Sequence, residues 1–125
     1  MLSADLRLLS GLPRPEAVGA RVEHLFAALA EQEEDYAHNL VILVDYARAT
    51  PPDRREPLRR AAAAYARAFA EYLGVGEADG RMVFLLINGL VLERWLEGGQ
   101  PDFAELAQRL KAYLTVRAAF AGGML

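Results

Sequence analysis

The residues best suited to chemistry are two histidines and the carboxylates beside them. Asp35 and His38 are three residues apart, so they share one face of a helix. A carboxylate and a histidine at this spacing are half of the ligand set of a di-iron helical bundle, which needs the pair twice. The other histidine, His24, has Glu23 adjacent, so the second copy is absent. With two histidines and no cysteine, we expect no metal site and no cofactor.

Residue patterns typical of other catalytic sites are also missing. Ser3 and Ser10 lie near the start, and Thr115 lies in the last predicted helix. None of them belongs to a nucleophile elbow, and no phosphate loop or dinucleotide fingerprint occurs. The glycines at 74, 76, 98 and 99 are more simply explained as helix ends. We therefore expect a protein that is not an enzyme.

A local basic cluster opens one of the predicted helices. It consists of Arg54, Arg55, Arg59 and Arg60. Asp53 and Glu56 interrupt it, and helical spacing spreads it over more than one face, which favours a solvated helix start over a phosphate contact. The formal net charge of −3 argues against a free-standing nucleic-acid binder.

Aromatic side chains are spread over four predicted helices, and one amide lies among apolar residues. The aromatic residues are Tyr36, Tyr65, Phe69, Tyr72, Phe84 and Trp95. Most such residues form core, but aromatics with a few polar groups also line ligand cavities. Asn88 must find partners in its apolar helix or lose about 1–3 kcal/mol. It could bond to another helix, to its counterpart across a symmetric interface, or to a ligand.

Length and hydrophobic spacing predict one all-α domain over residues 1–125. We expect helices over 15–31, 33–49, 54–73, 77–97 and 101–120, while 1–12 is a short helix or the end of a longer one. The run VILV at 41–44 continues a helical period and is not a strand. Asp53 with Glu56 suggests a capping box, although Pro57 could instead mark the first helical position. Short connections require five to six roughly antiparallel helices.

The helix over 77–97 is the element around which the others are organised. It is apolar nearly all round, so it must be covered on more than one side. The apolar run is too short to cross a bilayer, which needs about 20 residues. One face carries Met82, Leu85, Leu86 and Gly89, and the other carries Val83, Ile87, Leu90, Val91 and Arg94. We expect one face to meet the chain's own helices and the other to meet a partner. The Ile87 face is the one assigned to the partner here, and the reverse assignment stays open.

Three segments carry a resemblance to a known family. They are RREPLRRAAAAYARAFAEYL at 54–73, GEADGRMVFLLINGLVLERWLEGG at 76–99 and PDFAELAQRLKAYL at 101–114. In order and spacing they resemble the C-terminal domain of TetR-family transcriptional regulators. The family's N-terminal helix-turn-helix domain has no counterpart here, and residues 1–12 resemble the end of the helix that joins the two domains. We therefore expect no direct nucleic-acid contact from this segment.

The resemblance implies a ligand-responsive bacterial regulator of the cytoplasm that acts as a homodimer. The last two long helices would form a dimeric four-helix bundle, with an interface of Val83, Ile87, Leu90, Val91, Arg94, Tyr113 and Arg117. The other helices would enclose a cavity for a small apolar or aromatic effector. The expected ligand-binding residues are Tyr36, Asn39, Tyr65, Phe69, Phe84 and Asn88.

Two other functions remain open from the residues alone. A helical protein-interaction module without a small ligand would share the dimer but have a filled core around Tyr65, Phe69, Phe84 and Asn88. A small helical enzyme or metal carrier is the third possibility, and bound iron or zinc would be its sign. No membrane association is expected.

Overall fold

A computed structural model describes residues 9–99 and 102–121, without the side chains of 33–37, 39, 40 and 121. Its helices are α1 (Val18–Glu31), α2 (Glu33–Ala49), α3 (Glu56–Leu73), α4 (Glu77–Glu97) and α5 (Phe103–Ala121), with a 3₁₀ turn at Pro52–Arg54. No strand occurs in the described ranges, so the all-α prediction is confirmed. No helix among them is long and apolar enough to cross a membrane.

The predicted helix ends largely agree with those of the structure. Gly74 and Gly98 end α3 and α4 in the left-handed conformation, with φ of 72° and 75°. The capping box at Asp53 is wrong, because Asp53 lies in the 3₁₀ turn and α3 starts at Glu56 with Pro57 in its first turn and no side-chain cap. The VILV run lies within α2, as predicted. The prediction for 1–12 falls mostly outside the described residues.

The helices pack in two principal pairs. α3 lies along α4, and α1 lies along α5, while α1 also touches α3. One apolar core joins the pairs, and its fully buried side chains include Val22, Leu25, Leu73, Val83, Ile87, Val91 and Leu114. Helix α2 contacts α1 and α4 lightly. Ile42, Val44 and Tyr46 of α2 remain 44–57% exposed.

Helices α3 and α4 approach each other most closely at Gly80. A Cβ atom at this position would lie 2.5 Å from the Ala66 carbonyl oxygen and 2.5 Å from the Ala70 Cβ. Both distances are far below van der Waals contact, and one of the two atoms belongs to the backbone. Only glycine therefore lets the two helices lie this close, and the contact fixes where the first turn of α4 sits.

We expect Gly80→Ala to lower the free energy of unfolding by about 1–3 kcal/mol, the usual range for overpacking a filled site. Urea unfolding followed by circular dichroism measures the change. Gly19→Ala is the matched control, because a Cβ there would meet only the Lys111 side chain, which can move aside. Equal stability of the Gly80 variant and the parent would contradict the close contact.

Candidate functional site

The histidines do not come together with other metal-binding side chains in the described part of the chain. His24 on α1 and His38 on α2 are both exposed. No group of three or more histidine, cysteine, aspartate or glutamate side chains is placed to hold a metal there. The Asp35 side chain lies outside the described residues, so its pairing with His38 stays a prediction.

Three of the predicted ligand-binding residues form an aromatic cluster between α3 and α4. The rings of Tyr65 and Phe84 stack with centroids 5.5 Å apart and planes at 9°. Phe69 lies 6.4 Å from Tyr65 and 6.1 Å from Phe84. Asn88 follows Phe84 by one turn of α4 and is half-buried, while the side chains of Tyr36 and Asn39 lie outside the described residues.

A large cleft lies elsewhere, where α1, the turn between α3 and α4, and α5 meet. Its volume is about 1010 Å³, and we name it the α1–α5 cleft. Val18, Leu73, Val75, Leu114, Ala118 and Phe120 are among its apolar lining residues. None of the aromatic-cluster residues lines it. A smaller cleft of about 320 Å³ lies farther along the same two helices, next to Phe26 and Phe103.

Two ion pairs border the α1–α5 cleft. Lys111 on α5 donates a hydrogen bond to the Glu23 carboxylate on α1. This bond and the charge of Lys111 hold the pKa of Glu23 below its usual range. Arg117 Nε lies 3.4 Å from Asp79 Oδ2 and joins the end of α5 to the first turn of α4. The Asp79 side chain is 14% exposed and that of Arg117 is 57% exposed, so the cation is the accessible half of this pair.

Arginine side chains also close the end of α3 at the rim of the same cleft. Arg14 donates to the carbonyl oxygens of Tyr72 and Glu71 at 3.2 and 2.8 Å. Arg21 donates to Leu73 O at 3.0 Å and to Pro15 O at 2.6 Å. The last carbonyls of a helix have no partners within it and carry partial negative charge, which a guanidinium satisfies.

The predicted dimer interface divides into two groups in the structure. Val83, Ile87 and Val91 are 0–2% exposed within the chain's own core, so they have no surface for a partner. Leu90 and Arg94 are half-buried, and Tyr113 is 43% exposed. The Arg94 Nε atom is buried without a hydrogen-bond partner among the described residues. Arg117 is engaged by Asp79 of the same chain.

The proposed assignment of the two α4 faces is therefore corrected. Val83, Ile87 and Val91 are buried while Leu85 and Leu86 are exposed, and Met82 and Leu90, which were expected on opposite faces, are both half-buried against the core. The exposed face is the one that carries Leu85 and Leu86, whereas the Ile87 face was expected to meet a partner. Its exposed apolar side chains are Leu85 at 55%, Leu86 at 41% and Leu96 at 78%, and α5 adds Tyr113, Val116 and Phe120 at 43–54%.

Sequence reasoning missed the side chains that border the cleft. Arg21, Asp79 and Lys111 come from three helices, and none forms a motif with a neighbour in sequence. The pairs 23/111 and 79/117 are separated by 88 and 38 residues. Helical periodicity predicts that each residue lies on a helix, but only the tertiary arrangement of α1, α4 and α5 brings them together.

Comparisons with protein-family models, curated proteins and solved structures find no match to this chain.

Tyr72 links the α3 end to the segment before α1, and its ionisation supplies a test. Its hydroxyl donates to Pro13 O, and burial raises the pKa of Tyr72 against the opposing effect of Arg21 and Arg14. With a raised folded-state pKa, the unfolded chain loses the proton first, so the stability is intact below about pH 10 and falls above it.

We expect Tyr72→Phe to lower the free energy of unfolding at pH 7 by about 1 kcal/mol, the usual worth of a hydrogen bond. The difference between variant and parent should shrink as the pH rises above about 10, because phenylalanine cannot ionise. Denaturant titrations at pH 7, 9 and 10.5 measure it. Tyr46→Phe on the exposed face of α2 is the control. A difference that stays constant with pH would contradict the raised pKa.

Proposed function

We propose that the chain is the dimerisation and effector-binding domain of a ligand-responsive transcriptional regulator of the TetR type. The observation that carries the proposal is the open apolar face on α4 and α5, the helices that pair between subunits in the family the sequence resembles. Contiguous exposed apolar surface on a single chain is typical of an interaction site. The occupant we propose is a second copy of this chain.

Helical geometry places exposed apolar side chains of both helices to one side of the Asp79–Arg117 ion pair, which joins the first turn of α4 to α5. At about 100° per residue, Leu85 and Leu96 lie roughly a quarter to a third of a turn around α4 from Asp79. Val116 and Phe120 lie up to roughly a quarter turn around α5 from Arg117, in the same rotational sense. With α4 and α5 antiparallel, as this proposal requires, both sets fall on the same side of the molecule.

The composition of the α4 stripe supports pairing about a two-fold axis. Gly89 lies near the middle of the stripe, is exposed, and has no atom within 4 Å of where a Cβ would be. An antiparallel α4–α4 contact centred there would let the backbones approach closely. It would set Met82 against the partner's Leu96 and Arg81 near the partner's Glu97. A two-fold interface repeats each of these contacts.

The length of α4 suits a two-fold helix pair. Its 21 residues span about 30 Å at 1.5 Å per residue. The exposed apolar side chains of α5 add to this surface and bring it towards the roughly 800 Å² that each partner contributes to a standard interface.

The test is sedimentation of the purified chain and its variants at micromolar concentrations. We expect a dimer that Leu85→Asp and Leu96→Asp each weaken at least about tenfold, since a buried carboxylate opposes an apolar interface. Circular dichroism should remain unchanged, because both side chains are exposed in the single chain. Tyr46→Asp on α2 is the control and should leave the dimer intact.

A monomer throughout the micromolar range would contradict the proposed dimer. If Tyr46→Asp dissociates the dimer while Leu85→Asp does not, the interface lies on α2 instead.

The aromatic cluster favours a second candidate function. The stacked rings of Tyr65 and Phe84, with Phe69 packed beside them, resemble the filled core expected of an interaction module without a small ligand. Such a module would dimerise through the same face but bind no small molecule. The two candidates therefore differ in whether a ligand site exists, and the α1–α5 cleft is the place to look for it.

A further inference from the structure

The α1–α5 cleft has the size and lining of a small-molecule site. Its volume of about 1010 Å³ is at the upper end of the range for ligand pockets. Leu73 and Leu114, which are 1% and 0% exposed, form part of its apolar base. The cleft lies between the α3–α4 pair and the α1–α5 pair, so a ligand there would contact both.

The exposed charged side chains of the cleft indicate whether it favours an anionic or a cationic ligand. Asp79 is shielded, whereas Arg117 is more than half exposed. Arg117 uses only its Nε atom on Asp79, and its two terminal nitrogens have no hydrogen-bond partner among the described residues. Two exposed carboxylates also line the cleft, but Glu23 pairs with Lys111 and Glu16 lies before the start of α1. Next to Ala118 and Phe120 the exposed charge is the Arg117 guanidinium, so an anion is favoured at this part of the cleft.

Apolar side chains lie within one turn of Arg117 on α5. Leu114 and Ala118 line the cleft on either side of it, and Phe120 follows one turn later. An anion bound to Arg117 would therefore have its attached group against apolar surface. The first turn of α1 also lines the cleft, and the partial positive charge of a helix N-terminus favours the same sign of ligand.

We propose that the α1–α5 cleft binds a small molecule with an apolar, ring-sized body and one carboxylate-like anionic group, the anion contacting Arg117. This inference names the effector class and therefore rests on the proposed function. It moves the effector from the aromatic cluster, whose rings contact one another, to a cleft that none of those rings lines.

The experiment compares two probes with the same ring body, the anionic naphthalene-2-carboxylate and the neutral naphthalene-2-carboxamide, by isothermal titration calorimetry on the intact chain. We expect the carboxylate to bind at least about tenfold more tightly, as a charge-assisted hydrogen bond allows. Ala118→Phe, which fills an exposed position on the cleft wall, should weaken both probes at least about tenfold.

Substituting each partner of the Asp79–Arg117 ion pair in turn distinguishes a role in ligand binding from a purely structural role. Arg117→Gln should abolish the preference for the carboxylate. Asp79→Asn should strengthen carboxylate binding severalfold, because it releases Arg117 from its partner, whereas a merely structural role would make both variants weaker binders. Arg109→Gln, which removes an α5 cation that pairs with Glu105 outside the cleft, is the control and should change nothing.

Equal affinity for the two probes, or weaker carboxylate binding in Asp79→Asn, would overturn the inference. Failure of this inference is distinguishable from failure of the proposed function, because sedimentation is run on the same samples. A dimer that binds neither probe overturns the cleft assignment alone. A monomer that binds naphthalene-2-carboxylate with the expected preference overturns the dimer alone.

Discussion

The close approach of α3 and α4 at Gly80 is the constraint on which the other contacts of the structure depend. It sets the distance at which Phe84, one turn later, meets Tyr65 and Phe69. It also sets the position of Asp79, the adjacent residue, which reaches Arg117 on α5. A side chain at position 80 would push α4 outwards and disturb the aromatic cluster and the ion pair together, because Asp79 and Phe84 both lie within about one turn of this position.

The arrangement of the helices follows from the sequence to a large extent, and its physical basis is local. Glycines at 74 and 98 end α3 and α4 because they adopt a left-handed conformation that other residues rarely take. Asp102 accepts a hydrogen bond from Glu105 N–H at 3.2 Å, at the start predicted for the last helix. These signals need only neighbouring residues, so they can be identified without knowledge of the tertiary structure.

Which face of α4 is covered by the chain's own helices could not be predicted in the same way. A helix that is apolar nearly all round carries no periodic signal to say which side its own chain covers. Val83 and Leu85 are equally apolar, yet one is fully buried and the other is 55% exposed. The cleft was beyond prediction for a related reason: Glu23 meets Lys111 only because α1 packs along α5, and nothing in the sequence near either residue encodes that pairing.

Phe120 belongs to two features at once. It is 48% exposed on the apolar side of α5, and it lines the α1–α5 cleft. A molecule in the cleft and a partner on the apolar face would therefore contact the same side chain, which has a limited set of rotamers to offer both. If ligand binding in the cleft changes the affinity for the partner by some factor, partner binding changes the affinity for the ligand by the same factor. With both proposed sites occupied, this single phenylalanine would couple them thermodynamically without any movement of a whole helix.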